Sequence, residues 1–169
     1  MSKVLAVAAI QALVSAQDVD NAEYKSWSGS KVGTAVKSKM VSEAMGNKTE
    51  MDQVVTLVEL TADKAVIETV MTMMGNAMPG QKREIPAKVK SAPAGDAKGV
   101  KPVEGDEEIE VAGKKVKCHW VETTSDANGM KTVSRIWQSK DIPGGMAKMV
   151  SNSTGSMTSS TTLTVVEIK

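Results

Sequence analysis

The sequence predicts a mostly β fold, an antiparallel meander with little helix apart from the N-terminal segment. Residues 50–74 and 114–139 are rich in Val, Thr, Ile and Met, arranged as in paired strands. Asn128-Gly129 interrupts the second stretch, and this dipeptide is the strongest local signal of a two-residue hairpin turn. Helical periodicity is weak after residue 16, where residues 20–27 suggest a short helix capped by Asp20 and residues 146–150 could form a single turn.

Composition bounds the class of protein. A chain of 169 residues is the length of one domain. It carries 21 Lys and Arg against 20 Asp and Glu, aromatic residues make up 2%, and Phe is absent. Nucleic-acid binding usually needs a basic face and stacking rings, so we expect no nucleic-acid partner. The single Cys excludes an internal disulfide, and the single His makes zinc binding and His-based catalysis difficult to build.

Residues 1–16 are predicted to be a signal peptide. Lys3 is their only charge, residues 4–14 are mostly apolar, and Val14 and Ala16 place small residues at −3 and −1 of the cleavage site. The run is shorter than the ~20 residues that span a bilayer, so we expect no stable membrane span. An N-terminal amphipathic or buried helix is the alternative interpretation. With cleavage, residues 17–169 form a single β-rich domain that is periplasmic or secreted.

The first hairpin is predicted around the turn-like segment 61–64. If Leu60 opposes Ala65, then Val58 opposes Ile67 and Val54 opposes Met71, which gives an apolar core face.

The second hairpin has a register set by the turn at Asn128-Gly129. Counting outward pairs Ala127 with Met130, Glu122 with Arg135, and Trp120 with Trp137. The same count places Cys118 opposite Ser139.

Fainter strands complete the predicted sheet. Pro86 predicts an edge or a bulge in its strand. Residues 91–106 contain two Pro and several Gly, and we expect a mobile loop inside the domain. The remaining strand candidates are 33–43, 83–89, 107–111, 146–150 and 163–168.

No catalytic constellation is visible, and we expect no enzyme activity and no cofactor. Cys118 and His119 are neighbours, but adjacent side chains on a strand point to opposite faces and cannot share a proton. The acidic residues of 104–110 lack the spacing of a calcium loop and are interpreted as a solvated strand.

Twelve methionines are the most unusual feature of the composition. One interpretation is a deformable core filler in place of Phe, which could also line an apolar cavity. The other is copper(I) binding, since thioethers are soft ligands, with Met71, Met73, Met74 and Met78 joined by Met40 or Met51 and by Cys118. We assign no metal ligand from the sequence and keep copper as an alternative.

Residues 113–124 and 132–149 resemble uncharacterised secreted bacterial proteins that are loosely similar to the half-barrel superfamily of lipoprotein-localisation carriers (LolA/LolB-like). The resemblance implies an antiparallel meander forming a curved sheet or half-barrel around an apolar hollow. By analogy of fold it implies binding of a lipid or acyl chain. The residues that carry it are Gly113, Cys118, Trp120, Trp137, Ser139, Ile142, Pro143, Gly144, Gly145 and Lys148.

We therefore expect a secreted or periplasmic, non-enzymatic binding protein for an apolar or lipid-like small molecule. One alternative is the soft-metal binder. The other is a structural or assembly protein of the cell envelope whose apolar face is covered by a second copy, as a homodimer. The residues expected to line the hollow are Val54, Val58, Ile67, Met71, Met73, Trp120 and Trp137.

Overall fold

The computed structural model describes residues 18–90, 102–127, 129–155 and 158–169. The predicted signal peptide lies outside these residues. The described residues form one helix and twelve strands. In chain order they are β1 (Asp18–Asp20), α1 (Ala22–Ser28), β2 (Ala35–Ala44), β3 (Asn47–Leu60), β4 (Lys64–Met73), β5 (Asn76–Ala77), β6 (Gln81–Pro86), β7 (Lys88–Lys90), β8 (Val103–Val111), β9 (Lys114–Ala127), β10 (Met130–Gln138), β11 (Met146–Thr154) and β12 (Ser159–Ile168).

Ten of these strands form one antiparallel sheet in the order β5-β4-β3-β2-β12-β11-β10-β9-β8, with β6 paired to β4. Two meanders, β2–β4 and β8–β12, are joined by the pairing of β2 with β12. β8 contacts β12 although three strands lie between them, so the sheet curls at this end. It is not closed into a barrel. The predicted curved antiparallel sheet is therefore confirmed.

The second hairpin has the predicted register. Ala127 opposes Met130, Glu122 opposes Arg135, and Trp120 opposes Trp137. Gly129 has φ 75°, as a turn of this kind requires. The agreement reflects strong local information, because a two-residue turn fixes the register of both strands.

The predicted register of the first hairpin is wrong beyond its turn. Leu60 opposes Ala65, but a β-bulge at Val58 places Leu57 opposite Ile67 and Gln53 opposite Met71. The bulge adds one residue to β3, and a shift of one residue exchanges the two faces of the strand. Leu57, which is fully buried, takes the core position predicted for Val58.

Two predicted element boundaries differ from the structure, whereas the predicted edge strand at Pro86 agrees with it. The cap of α1 is Asn21, one residue later than the predicted Asp20. β8 begins at Val103, so the predicted loop is shorter at its C-terminal end, and residues 91–101 lie outside the described part. β6 ends at Pro86 and pairs only with β4 among the described strands, in line with the predicted edge.

Among the residues that the structure describes, three hairpin turns place a non-glycine residue before glycine in the left-handed region. Met45, Met74 and Ala112 have φ of 53°, 51° and 50°. Side chains other than Asn and Asp are strained there, because Cβ approaches the following carbonyl oxygen.

Ala112→Asn is expected to raise the free energy of unfolding by about 1 kcal/mol, because Asn tolerates this conformation better. Urea denaturation measures the change. Ala77→Asn, on the exposed strand β5, is the control and should give no gain. An equal gain at Ala77 would contradict the explanation.

The two faces of the sheet are defined by cross-strand register. One row of directly opposite residues runs across the sheet from β10 to β3 and consists of Trp137, Lys148, Thr164, Lys39 and Asp52. We call their side the tryptophan face. The alternate residues of the same strands point to the opposite side, which we call the helix face because α1 packs there.

Candidate functional site

α1 is fastened to the sheet at its N-terminal end by side-chain hydrogen bonds. Asn21 Oδ1 accepts from the Glu23 amide at 3.0 Å, and Asn21 Nδ2 donates to Pro86 O at 2.8 Å. The Tyr24 hydroxyl donates to Thr61 O at 2.6 Å. The helix has only seven residues, too few to be stable alone, so these contacts determine its position.

The C-terminal end of α1 is held by the loop between β10 and β11. The Gly144 amide donates to Ser26 O at 3.2 Å. Trp27 is 3% exposed, and its ring edge lies close to where a Cβ at position 144 would be, with Cζ2 2.8 Å away. Only glycine allows the loop to pass this close to the indole ring.

A cavity of about 190 Å³ lies between α1, this loop and the helix face of β2–β4. Each of the three strands contributes one apolar and one polar side chain to the floor of the cavity. One wall of the cavity is formed by Trp27, Pro143, Gly144 and Met146. The opposite side is formed by Glu23 and Arg83. The floor residues are Val36 and Ser38 on β2, Val55 and Gln53 on β3, and Ile67 and Thr69 on β4.

An ion pair joins α1 to β6 beside this cavity. Arg83 Nη1 donates to Glu23 Oε2 at 3.0 Å, and Nη2 contacts the other carboxylate oxygen. The hydrogen bond from Arg83 lowers the pKa of Glu23, and the same bond raises the pKa of Arg83. Both groups therefore stay charged at neutral pH, and the pair is partly exposed to solvent.

The residues predicted to line the hollow do not meet in one place. Ile67 lines the cavity under α1. Met71 and Met73 lie on the same helix face but outside that cavity, whereas Val58 is in the bulge. Val54, Trp120 and Trp137 are on the tryptophan face, as the rows of paired residues show. Ligand binding by any of the seven stays a prediction.

The tryptophan face carries its own cluster of side chains. The Arg135 guanidinium lies 4.3 Å from the Trp120 ring centroid and donates from Nε to Glu122 at 2.9 Å. Trp137 is 7% exposed, and its indole N–H donates to the Glu107 carboxylate. At the curled end of the sheet the two indole rings thus lie against the charged side chains of Arg135 and Glu107.

Cys118 and His119 point to opposite faces, as predicted, because they pair with the successive residues Glu107 and Asp106. Cys118 is 2% exposed, and burial raises the pKa of its thiol. His119 is in solvent, with Nδ1 3.0 Å from Asp106 Oδ1 and Nε2 3.5 Å from Glu104 Oε2. A buried neutral thiol and an exposed imidazole cannot act together.

Stability should depend on the charge of His119. The hydrogen bond to Asp106, with the nearby Glu104, raises the pKa of His119 above its ordinary value of 6.5. The contribution of the protonated imidazole to the free energy of unfolding is fully present below about pH 6.5. It is lost as pH rises through the higher pKa of the folded state. NMR titration of the imidazole should show the raised pKa, and Asp106→Asn should lower it. An ordinary pKa in the unsubstituted chain would contradict the contact.

Two structural findings concern other site types. Within the residues that the structure describes, no three His, Cys, Asp or Glu side chains are grouped so that they could hold a metal ion. In that same part of the chain, α1 is far shorter than a membrane-crossing helix, and no longer apolar helix is present.

Comparison with solved structures relates the fold to known proteins. The chain is similar to the crystal structure of a predicted lipoprotein from Parabacteroides distasonis, with a TM-score of 0.51 and 11% identity, covering 82% of this chain and 96% of that one. It also aligns with a predicted outer membrane lipoprotein-sorting protein domain from Vibrio parahaemolyticus, with a TM-score of 0.29 and 10% identity over 87% and 88% of the two chains. The sequence matches no family model and no curated protein. At this identity the first likeness concerns the fold, which agrees with the fold implied by the resemblance.

Proposed function

We propose that this chain is a non-enzymatic binding protein of the cell envelope, periplasmic or secreted, that holds an apolar or lipid-like ligand between α1 and the sheet. The cavity beneath the helix is the observation that carries the proposal. Its floor presents Val36, Val55 and Ile67, and its side presents Trp27 and Met146. Burial of a ligand's apolar surface against these groups supplies the binding free energy.

The size of the cavity favours a small apolar group. Apolar cavities of about 150 Å³ bind benzene-sized molecules, and this one measures about 190 Å³. It therefore suits one end of an acyl chain or a compact apolar molecule. Ser38, Gln53 and Thr69 offer a few hydrogen-bonding groups that could orient a polar end.

The location in the envelope is supported by two independent points. Residues 1–16 have the layout of a signal peptide. The similar Parabacteroides protein is itself described as a predicted lipoprotein. Homodimerisation stays a prediction.

Filling the cavity tests the proposal. The purified full chain, stripped of lipid, is titrated with the apolar fluorophore N-phenyl-1-naphthylamine. Val55→Phe should weaken binding at least about tenfold, which is ~1.4 kcal/mol. Val54→Phe is the matched control, because Val54 is also half-buried on β3 but points to the opposite face.

The two variants must first show the same circular dichroism as the parent chain. Saturable one-to-one binding that Val55→Phe weakens and Val54→Phe leaves unchanged would support the site. Absence of saturable binding, or equal loss in both variants, would contradict it.

A further inference from the structure

Three methionines stand side by side on the helix face, outside the cavity. Met40 on β2 is directly opposite Met51 on β3, and Met51 is directly opposite Met73 on β4. Directly opposite residues share a face, and neighbouring strands lie about 4.8 Å apart. The three side chains therefore start within about 10 Å of one another.

Met71 adds a fourth thioether to this group. It lies two residues before Met73 on β4 and so points to the same face. Met71 is 37% exposed and Met73 is 41% exposed. Core filling does not explain thioethers at this level of exposure. Each Met side chain has several rotatable bonds, so the four sulfur atoms can converge without movement of the backbone.

The surroundings of the four methionines are neutral. The ion pairs Lys37–Asp52 and Lys39–Glu50 are formed by residues that alternate with the methionines and belong to the tryptophan face. On the helix face the neighbours along β2 and β3 are Ser38, Ser42, Thr49 and Gln53. The group thus offers soft sulfur donors without carboxylates that would favour a hard divalent ion.

We propose that Met40, Met51, Met71 and Met73 form a binding site for one soft monovalent cation, Cu(I) or its analogue Ag(I). Neutral thioethers prefer such ions, whereas zinc and calcium take nitrogen, thiolate or oxygen ligands. Cys118 does not take part, because it is buried on the tryptophan face of β9. The sequence-based alternative is therefore revised in its ligands: both Met40 and Met51 join Met71 and Met73, whereas Cys118, Met74 and Met78 are left out.

The site is tested with the full chain labelled with ¹³C at the methionine methyl groups and titrated with Ag(I). The methyl signals of Met40, Met51, Met71 and Met73 should shift together and saturate at one equivalent. Signals of Met45, which is exposed in the turn between β2 and β3, and of Met130, which is exposed at the β9–β10 hairpin, should not shift. Shifts at Met45 or Met130 at the same equivalent would overturn the proposal, because binding would then follow exposure alone.

Variants provide the second readout. Met51→Leu keeps the size and apolar character of the side chain but removes the central sulfur. It should weaken Ag(I) binding, and Cu(I) binding measured against bicinchoninate with ascorbate, by at least about tenfold. Met130→Leu is the matched control and should not change either affinity. Unchanged affinity in Met51→Leu, or loss of binding in Cys118→Ala, would overturn the thioether site. Neither result would affect the test of the cavity under α1.

Discussion

Trp137→Ala is expected to lower the free energy of unfolding by about 3–5 kcal/mol, the usual cost of deleting a large buried aromatic side chain. Trp137 is 7% exposed and belongs to the cluster of buried residues that includes Val116 and Cys118. Its loss would leave a void in the curled end of the sheet. It would also remove the hydrogen-bond donor to the Glu107 carboxylate. Urea denaturation monitored by circular dichroism measures the change.

Trp120→Ala is the control for this prediction. Trp120 is opposite Trp137 on the same face but is only half-buried. Its removal should cost clearly less, since less apolar area returns to water. A loss under about 1 kcal/mol at position 137, or a larger loss at position 120, would show that the indole of Trp137 is not part of the core.

Gly144→Ala is expected to cost about 2–4 kcal/mol, combining backbone strain with overpacking. Gly144 has φ 78°, and a Cβ there would lie 2.8 Å from the Trp27 ring. The methyl group would push α1 away from the loop and widen the cavity. Urea denaturation measures the loss of stability, and the indole N–H signal of Trp27 in NMR spectra reports the displacement of its ring.

Gly46→Ala separates the two causes. Gly46 has φ 79°, nearly the same backbone conformation, but nothing lies within 4 Å of the position that a Cβ would take there. It should therefore show only the strain of about 1–2 kcal/mol. Equal losses at positions 46 and 144 would mean that the contact between Trp27 and the loop contributes nothing.

The candidate site is only partly predictable from the sequence, and particular residues show why. Ile67 lies in a strongly apolar strand, which predicts a place in a hollow, and it does line the cavity. Sequence reasoning misses Val55, because the bulge at Val58 exchanges the faces of β3 and nothing in the local sequence marks it. It misses Val36 because that residue reaches the cavity only through the pairing of β2 with β3. It also misses Trp27 and Arg83, whose roles depend on contacts with residues far away in the chain. The Pro-Gly-Gly sequence at residues 143–145 does predict a turn locally, and this turn lies beside the cavity.

The local sequence determined the strand content, the Asn128-Gly129 hairpin and the pairing of Trp120 with Trp137, because alternation and turn chemistry act over a few residues. The tertiary structure alone decided on which face of the sheet each apolar side chain lies. That choice depends on the β3 bulge, on the β2–β12 pairing that joins the two meanders, and on where a seven-residue helix docks. All three depend on long-range packing, in which the burial of distant apolar groups outweighs local preference.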